Sequence, residues 1–86
     1  MNEPTGYPAP VLRIKERYHA IDSRRRAHVI TVWAEMQRSV SLVLGDVEAP
    51  TGRTVHRLDG GELVEVAQDG GLRVRRTNLR LRRVDP

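Results

Sequence analysis

Residues 54–84 read TVHRL, DGGE, LVEVA, QDGG, LRVRR, TN and LRLRRV in succession, and this run decides the fold. Short segments of alternating apolar and polar residues are divided by Asp-Gly and Gly-Gly pairs. Those pairs supply the positive φ values that tight hairpins need. The run therefore reads as a β-meander, with Leu72, Val74, Leu79 and Leu81 on an inward parity and Arg73, Arg75, Arg80 and Arg82 on an outward one.

Upstream, EAPTGRT (48–54) looks like a loop that interrupts regular structure. Before it, SVSLVLGDV (39–47) places Val40, Leu42 and Leu44 on one parity and reads as a strand ending at Gly45-Asp46. HVITVWAEM (28–36) is dense in β-branched residues and favours extended structure, with Trp33 expected in the core. The polar stretch DSRRRA (22–27) turns the chain into it. VLRIKERYHAI (11–21) alternates Leu12, Ile14, Tyr18 and Ala20 against Arg13, Lys15, Arg17 and His19, with Glu16 as the misfit. An alternative stays open, an α+β chain with an N-terminal helix within 11–38. It would be capped by Ser23, with Ile30, Trp33, Ala34 and Gln37 on neighbouring turns, although three arginines in its first turn oppose the helix dipole. Residues 1–10 hold three prolines and a glycine and read as a flexible tail, leaving 11–86 as a single small β domain.

Composition supports this reading. Val, Ile and Leu number 22, of which 14 are β-branched, enough for a core and biased toward strands. Five to seven short strands in about 75 residues leave no room for two full sheets. The expected form is a small antiparallel meander curled into an SH3-like or OB-like open barrel. A chain of 86 residues buries a modest fraction of its surface and leaves strand edges, so a homodimer is expected. The absence of cysteine removes disulfides and thiolate metal sites. No run approaches the length of a membrane span, and no signal-peptide pattern is present, so a cytoplasmic protein without membrane contact is expected.

The charge balance points to anionic partners. Lys and Arg total 15 against 11 Asp and Glu, a net charge of +4, and 14 of the 15 are arginine. Two clusters stand out, Arg24, Arg25 and Arg26 on the turn, and Arg73, Arg75, Arg80 and Arg82 on the C-terminal strands. Arginines two apart on a strand are spaced about 6.6–6.8 Å, a pitch suited to phosphates along a groove. The bland reading is a solvated strand face, in which Glu62 or Glu65 on a neighbouring strand pairs with Arg73 or Arg75. With no Phe and few aromatics, base stacking is a poor fit and backbone contact a better one.

The chain carries no nucleophile-base pair, no paired carboxylates and no phosphate-cradling glycine loop, so it is expected not to be an enzyme. His19, His28 and His56 lack metal-motif spacing, so no metal or cofactor is expected, although His19 and His28 could meet across the hairpin. The leading expectation is a small non-enzymatic module that contacts DNA or RNA backbone, or an acidic protein, through arginines. The alternative is a protein-interaction or assembly accessory subunit, of the virion or mobile-element kind, that uses a strand edge or an apolar patch.

Overall fold

The computed structural model describes residues 10–84. All but the last residue of the expected 1–10 tail lies outside them. Six strands follow in chain order, β1 (Val11–Asp22), β2 (Ala27–Ser41), β3 (Gly45–Leu58), β4 (Leu63–Val66), β5 (Leu72–Val74) and β6 (Arg80–Val84). Each pairs antiparallel with the next, and β6 returns to pair with β1 from His19↔Val84 to Asp22↔Leu81. The meander is therefore a closed barrel rather than an open one. Closure leaves fewer unpaired strand edges than an open sheet would. No helix occurs among the described residues, so the helical alternative for 11–38 does not hold. The β-branched residues of that segment pack on the pleated surface instead.

The barrel is small because its core is small. Tyr18 and Ala20 from β1, Ile30 and Val32 from β2, Val64 from β4, Leu72 and Val74 from β5 and Leu81 from β6 fill it, with Leu58 and Leu79 packed against them. The C-terminal half follows the expected parity, with Leu72, Val74 and Leu81 buried and Arg73, Arg80 and Arg82 exposed.

Three of the turns share one geometry. In each, the residue that opens the turn (Asp22, Leu58 or Ala67) accepts from the amide three positions on, and its own amide donates to the carbonyl four positions on. The residue that donates this first amide takes a positive φ. Gly61 (φ 92) and Gly70 (φ 88) do so where the Asp-Gly-Gly sequences foretold it, and Arg25 (φ 63) does so on the arginine turn.

The N-terminal half departs from simple alternation. An extra residue enters β1 between Ile14 and Glu16, so Leu12 and Ile14 fall out of phase with Tyr18 and remain 39% and 48% exposed. Between β2 and β3 the register jumps from Ala34↔Thr54 to Met36↔Pro50. Glu35 thus stands opposite Thr51, Gly52 and Arg53, and the Thr51 hydroxyl donates to its carboxylate at 2.9 Å. The segment EAPTGRT is a bulged but continuous part of β3, not a loop. Trp33 is half-buried rather than core. Ile30 and Val32 point into the barrel, which puts Trp33 on the other face, in register with Ile14 and Val55.

Past the bulge, Met36–Ser41 and Gly45–Pro50 continue as a two-stranded ribbon that projects from the barrel by about 20 Å, at roughly 3.3 Å per residue. The arm accounts for the elongated 52 × 34 × 24 Å shape. Its base is braced by Glu48, which takes a bidentate contact from Arg13 on β1 (2.7 and 3.1 Å) and another from Arg38 on β2 (3.4 Å). Its tip is Leu42, Val43 and Leu44. Here the sequence expectation of a strand through 39–47 fails, because the chain turns at 42–44 and no sheet covers the alternating face. The Ser41 hydroxyl accepts from the amides of Val43 and Leu44 at 3.2 and 3.1 Å, so the tip satisfies its own backbone and turns its apolar side chains outward.

Candidate nucleic-acid interface

Strand direction alternates around the barrel, so the turns after β1, β3 and β5 share one end. The arginine turn, Ser23–Arg26, lies there. Its shape is set by Asp22, the last residue of β1, which is only 7% exposed. One carboxylate oxygen of Asp22 accepts from the amides of Arg24 (2.8 Å) and Arg26 (3.0 Å), and the other lies 3.0 Å from His28 Nε2. These bonds hold the Asp22 carboxyl below the usual carboxylate range, the His28 contact first and the Arg26 amide next. An aspartate heading a polar loop is a recognisable Asx-turn signal, and sequence reasoning passed over it. His19 and His28 do not meet. His28 stands opposite Ala20, and His19 opposite Val29, one residue away and on the other face.

The arginines fall into two groups. Arg73 and Arg75 both reach Glu65 of β4, at 2.6 and 3.7 Å, and Glu65 is held low chiefly by the Arg73 hydrogen bond. This is the cross-strand pairing that the bland reading required of Glu65. Arg17 contacts the Thr31 hydroxyl (3.3 Å), Arg57 donates to the Gly61 carbonyl (3.1 Å), and Arg83 pairs with Glu16 (3.2 Å) over the Tyr18 ring (4.2 Å). By contrast, the side chains of Arg24, Arg25, Arg26, Arg53, Arg76, Arg80 and Arg82 make no ion pair or hydrogen bond among the described residues.

Barrel closure brings Arg24, Arg25, Arg26, Arg80 and Arg82 toward one end. Asp22 pairs with Leu81 and Ile21 with Arg82, so the start of β6 runs beside the arginine turn. Arg25, Arg80 and Arg82 border one depression of about 330 Å³, floored by Asp22 and Leu81. The two clusters are more than fifty residues apart in sequence, and no local pattern could have joined them.

Arg25 has a further peculiarity. It occupies the left-handed position that glycine fills in two of the sister turns, a conformation costing an L-residue roughly 1–2 kcal/mol. Backbone strain kept in place of an available glycine points to a use for the side chain.

Tyr18 and His56 meet edge to face, 6.3 Å between centroids, with the hydroxyl 3.3 Å from Nδ1. Burial pushes the Tyr18 hydroxyl up and the His56 imidazole down, so at neutral pH both groups of this pair are uncharged. Among the described residues no three His, Cys, Asp or Glu side chains gather as a metal site, and no helix is long and apolar enough to cross a membrane.

These shifts fix the direction of the pH response. Asp22, Glu48 and Glu65 are all lowered in the folded state, so the stability they contribute is complete above their unfolded values of about 4 and is lost as pH falls through the lower folded ones. His56 is also lowered, so its contribution begins to fade below about 6.5. Thermal melts should show a plateau near neutrality, a shallow decline below about pH 6 and a steep one below about 4. Asp22→Asn should flatten the steep limb. Melting temperatures that rise on acidification would contradict the assignment.

No protein-family model, curated protein or solved structure matches the chain.

Proposed function

We propose that the chain is a small non-enzymatic binding module that contacts the backbone of DNA or RNA through Arg24, Arg25, Arg26, Arg80 and Arg82. The observation that carries this reading is the sorting of the arginines. Most others have a carboxylate, hydroxyl or carbonyl partner within the chain, whereas these five crowd one end of the barrel without one. Gathering like charges costs repulsion that an anionic ligand would relieve. Of the barrel forms expected, the SH3-like one suits this chain better, because the strand order is a plain meander and the OB-fold is a five-stranded Greek key. Backbone contact is favoured over base stacking, because Tyr18 is buried and Trp33 lies at the base of the arm, away from the arginine turn.

The discriminating variant is Arg25→Gly. It removes one guanidinium and also the left-handed strain, so oligonucleotide affinity should fall while stability is unchanged or rises by up to about 1 kcal/mol. Fluorescence anisotropy with unrelated duplexes, beside urea melts of both proteins, reads the two effects. Affinity that survives Arg25→Gly, or wild-type protein that binds no oligonucleotide at low salt, would sink the proposal.

A second reading, an assembly subunit that uses an apolar patch, is favoured by one specific observation. Val40, Leu42, Val43 and Leu44 at the arm tip are 78%, 104%, 89% and 75% exposed. Contiguous apolar exposure of this kind marks contact surfaces.

A further inference from the structure

Three arginine side chains without partners among the described residues border one depression at the arginine-turn end of the barrel. Arg80 and Arg82 stand two apart on the exposed face of β6, and the pairing of Ile21 with Arg82 and of Asp22 with Leu81 lays this strand beside the turn that carries Arg25. The depression holds about 330 Å³, and Ser23 lines it as well. Asp22 is the only carboxylate in its lining, and both Asp22 oxygens are already engaged, one by the amides of Arg24 and Arg26 and the other by His28. Arg80 also borders the hollow beside the β4–β5 connection, but the acids there are held elsewhere. Glu65 pairs with Arg73 and Arg75, and Asp69 accepts from the Gly71 amide at 2.8 Å. Three positive charges against one negative leave the depression with two positive charges in excess, His28 uncounted.

That excess and that shape select among phosphates. A diester inside a strand carries one negative charge and is flanked by sugar on both sides, so it meets a surface more readily than it enters a hollow. A terminal monoester carries about 1.5–2 negative charges near neutral pH, offers three oxygens and is tethered on one side only. Guanidinium forks match such oxygens two at a time. We infer that the depression seats the terminal phosphate monoester of a nucleic-acid strand, between Arg25 on the turn and Arg80 and Arg82 on β6, with the Ser23 hydroxyl as a further donor. Arg24 and Arg26 do not line the depression and remain for the diesters that follow. A strand without an end phosphate engages the same arginines through its diesters alone. A phosphorylated peptide presents the same monoester but no run of diesters for Arg24 and Arg26, so the nucleic-acid end is the better match.

This inference rests on the nucleic-acid reading, and its test separates the two. Fluorescence anisotropy of the full chain compares one short single strand ending in hydroxyls with the same strand carrying a 5′-phosphate, a 3′-phosphate or a 5′-methyl phosphate, the last keeping the phosphorus but only one charge. A monoester at the preferred end should tighten binding about tenfold or more over hydroxyl, as a hydrogen bond to a charged group does. The methyl phosphate should recover little of that gain. Preference for the 5′ or the 3′ monoester supports the site and identifies the end it takes. Arg25→Gly, and Arg80→Ala with Arg82→Ala, should each bring the ratio of phosphate to hydroxyl affinity close to one. Arg24→Ala with Arg26→Ala should weaken every strand alike and keep the ratio. Equal affinity for all ends would overturn the inference and leave backbone binding standing, whereas a chain that binds no strand loses both. A preference that survives in the Arg25 and the Arg80–Arg82 variants, or a phosphoserine peptide that binds more tightly than the phosphorylated strand, would also overturn it.

Discussion

Ile30→Ala should remove about 2–5 kcal/mol of stability, the range for deleting a large aliphatic side chain from a rigid core. Ile30 is 0% exposed and is one of the two largest side chains enclosed completely, the other being Val74. It sits mid-barrel, with Tyr18 and Leu58 as its register partners on the two flanking strands. Among the described residues no helix or second sheet lies behind the barrel wall to collapse into the vacancy. Domains of this size have about 4–13 kcal/mol in total, at roughly 0.05–0.15 kcal/mol per residue. The loss is therefore a large share of the whole, and the melting temperature should fall by at least about 8 °C. Leu42→Ala is the matched control, an aliphatic truncation at a side chain 104% exposed, and should stay within about 0.5 kcal/mol of wild type. Urea denaturation of the three proteins, with equal slopes, checks both. If the two truncations cost the same, the assignment of Ile30 to the interior is wrong.

The contrast between Ile30 and Leu42 also marks where sequence reading succeeded and where it stopped. Period-two alternation states which side chains share a face, not whether that face is covered. Around Leu72, Val74 and Leu81 the barrel closes over the alternating face, and the Asp-Gly-Gly turns pinned the register, so the expectation and the structure agree. Around Val40, Leu42 and Leu44 the same kind of alternation sits on a two-stranded ribbon with nothing above it. Trp33 failed for a related reason. Its side of β2 is set by parity with Ile30 and Val32, whereas the expectation came from the apolar character of its neighbours. The bulges at Lys15 and at Thr51–Arg53 carry no strong local signal, and Gly52 within EAPTGRT reads equally well as a loop. For the candidate interface, the outward parity of Arg73, Arg80 and Arg82 was legible, and so was the pairing of Glu65 with Arg73. The approach of Arg25 to Arg80 and Arg82 was not, because it follows from β1 pairing with β6 at closure.

That approach leads to the largest expected effect on binding. If Arg24, Arg25, Arg26, Arg80 and Arg82 each neutralise one phosphate, the slope of log affinity against log salt should be about −4.5 on duplex DNA, or about −3.5 on a single strand. A fourfold rise in salt would then weaken duplex binding by about 500-fold. Arg80→Ala with Arg82→Ala should reduce the steepness on duplex by about 1.8 and do so alike for unrelated sequences, because backbone contacts carry no base information. Folding should barely change, since both side chains lie on the outer face of β6. Arg73→Ala with Arg75→Ala removes the same number of charges from side chains that Glu65 already satisfies, so its slope should stay near that of wild type. Glu65→Gln tests the same logic in reverse. Freed of their carboxylate, Arg73 and Arg75 become available to phosphates, and the salt dependence should steepen. A salt titration of these four proteins against one duplex and one single strand separates the cases. Equal slopes for the two double variants would show that internal pairing does not decide which arginines reach the ligand, and that the charge acts only as a diffuse field.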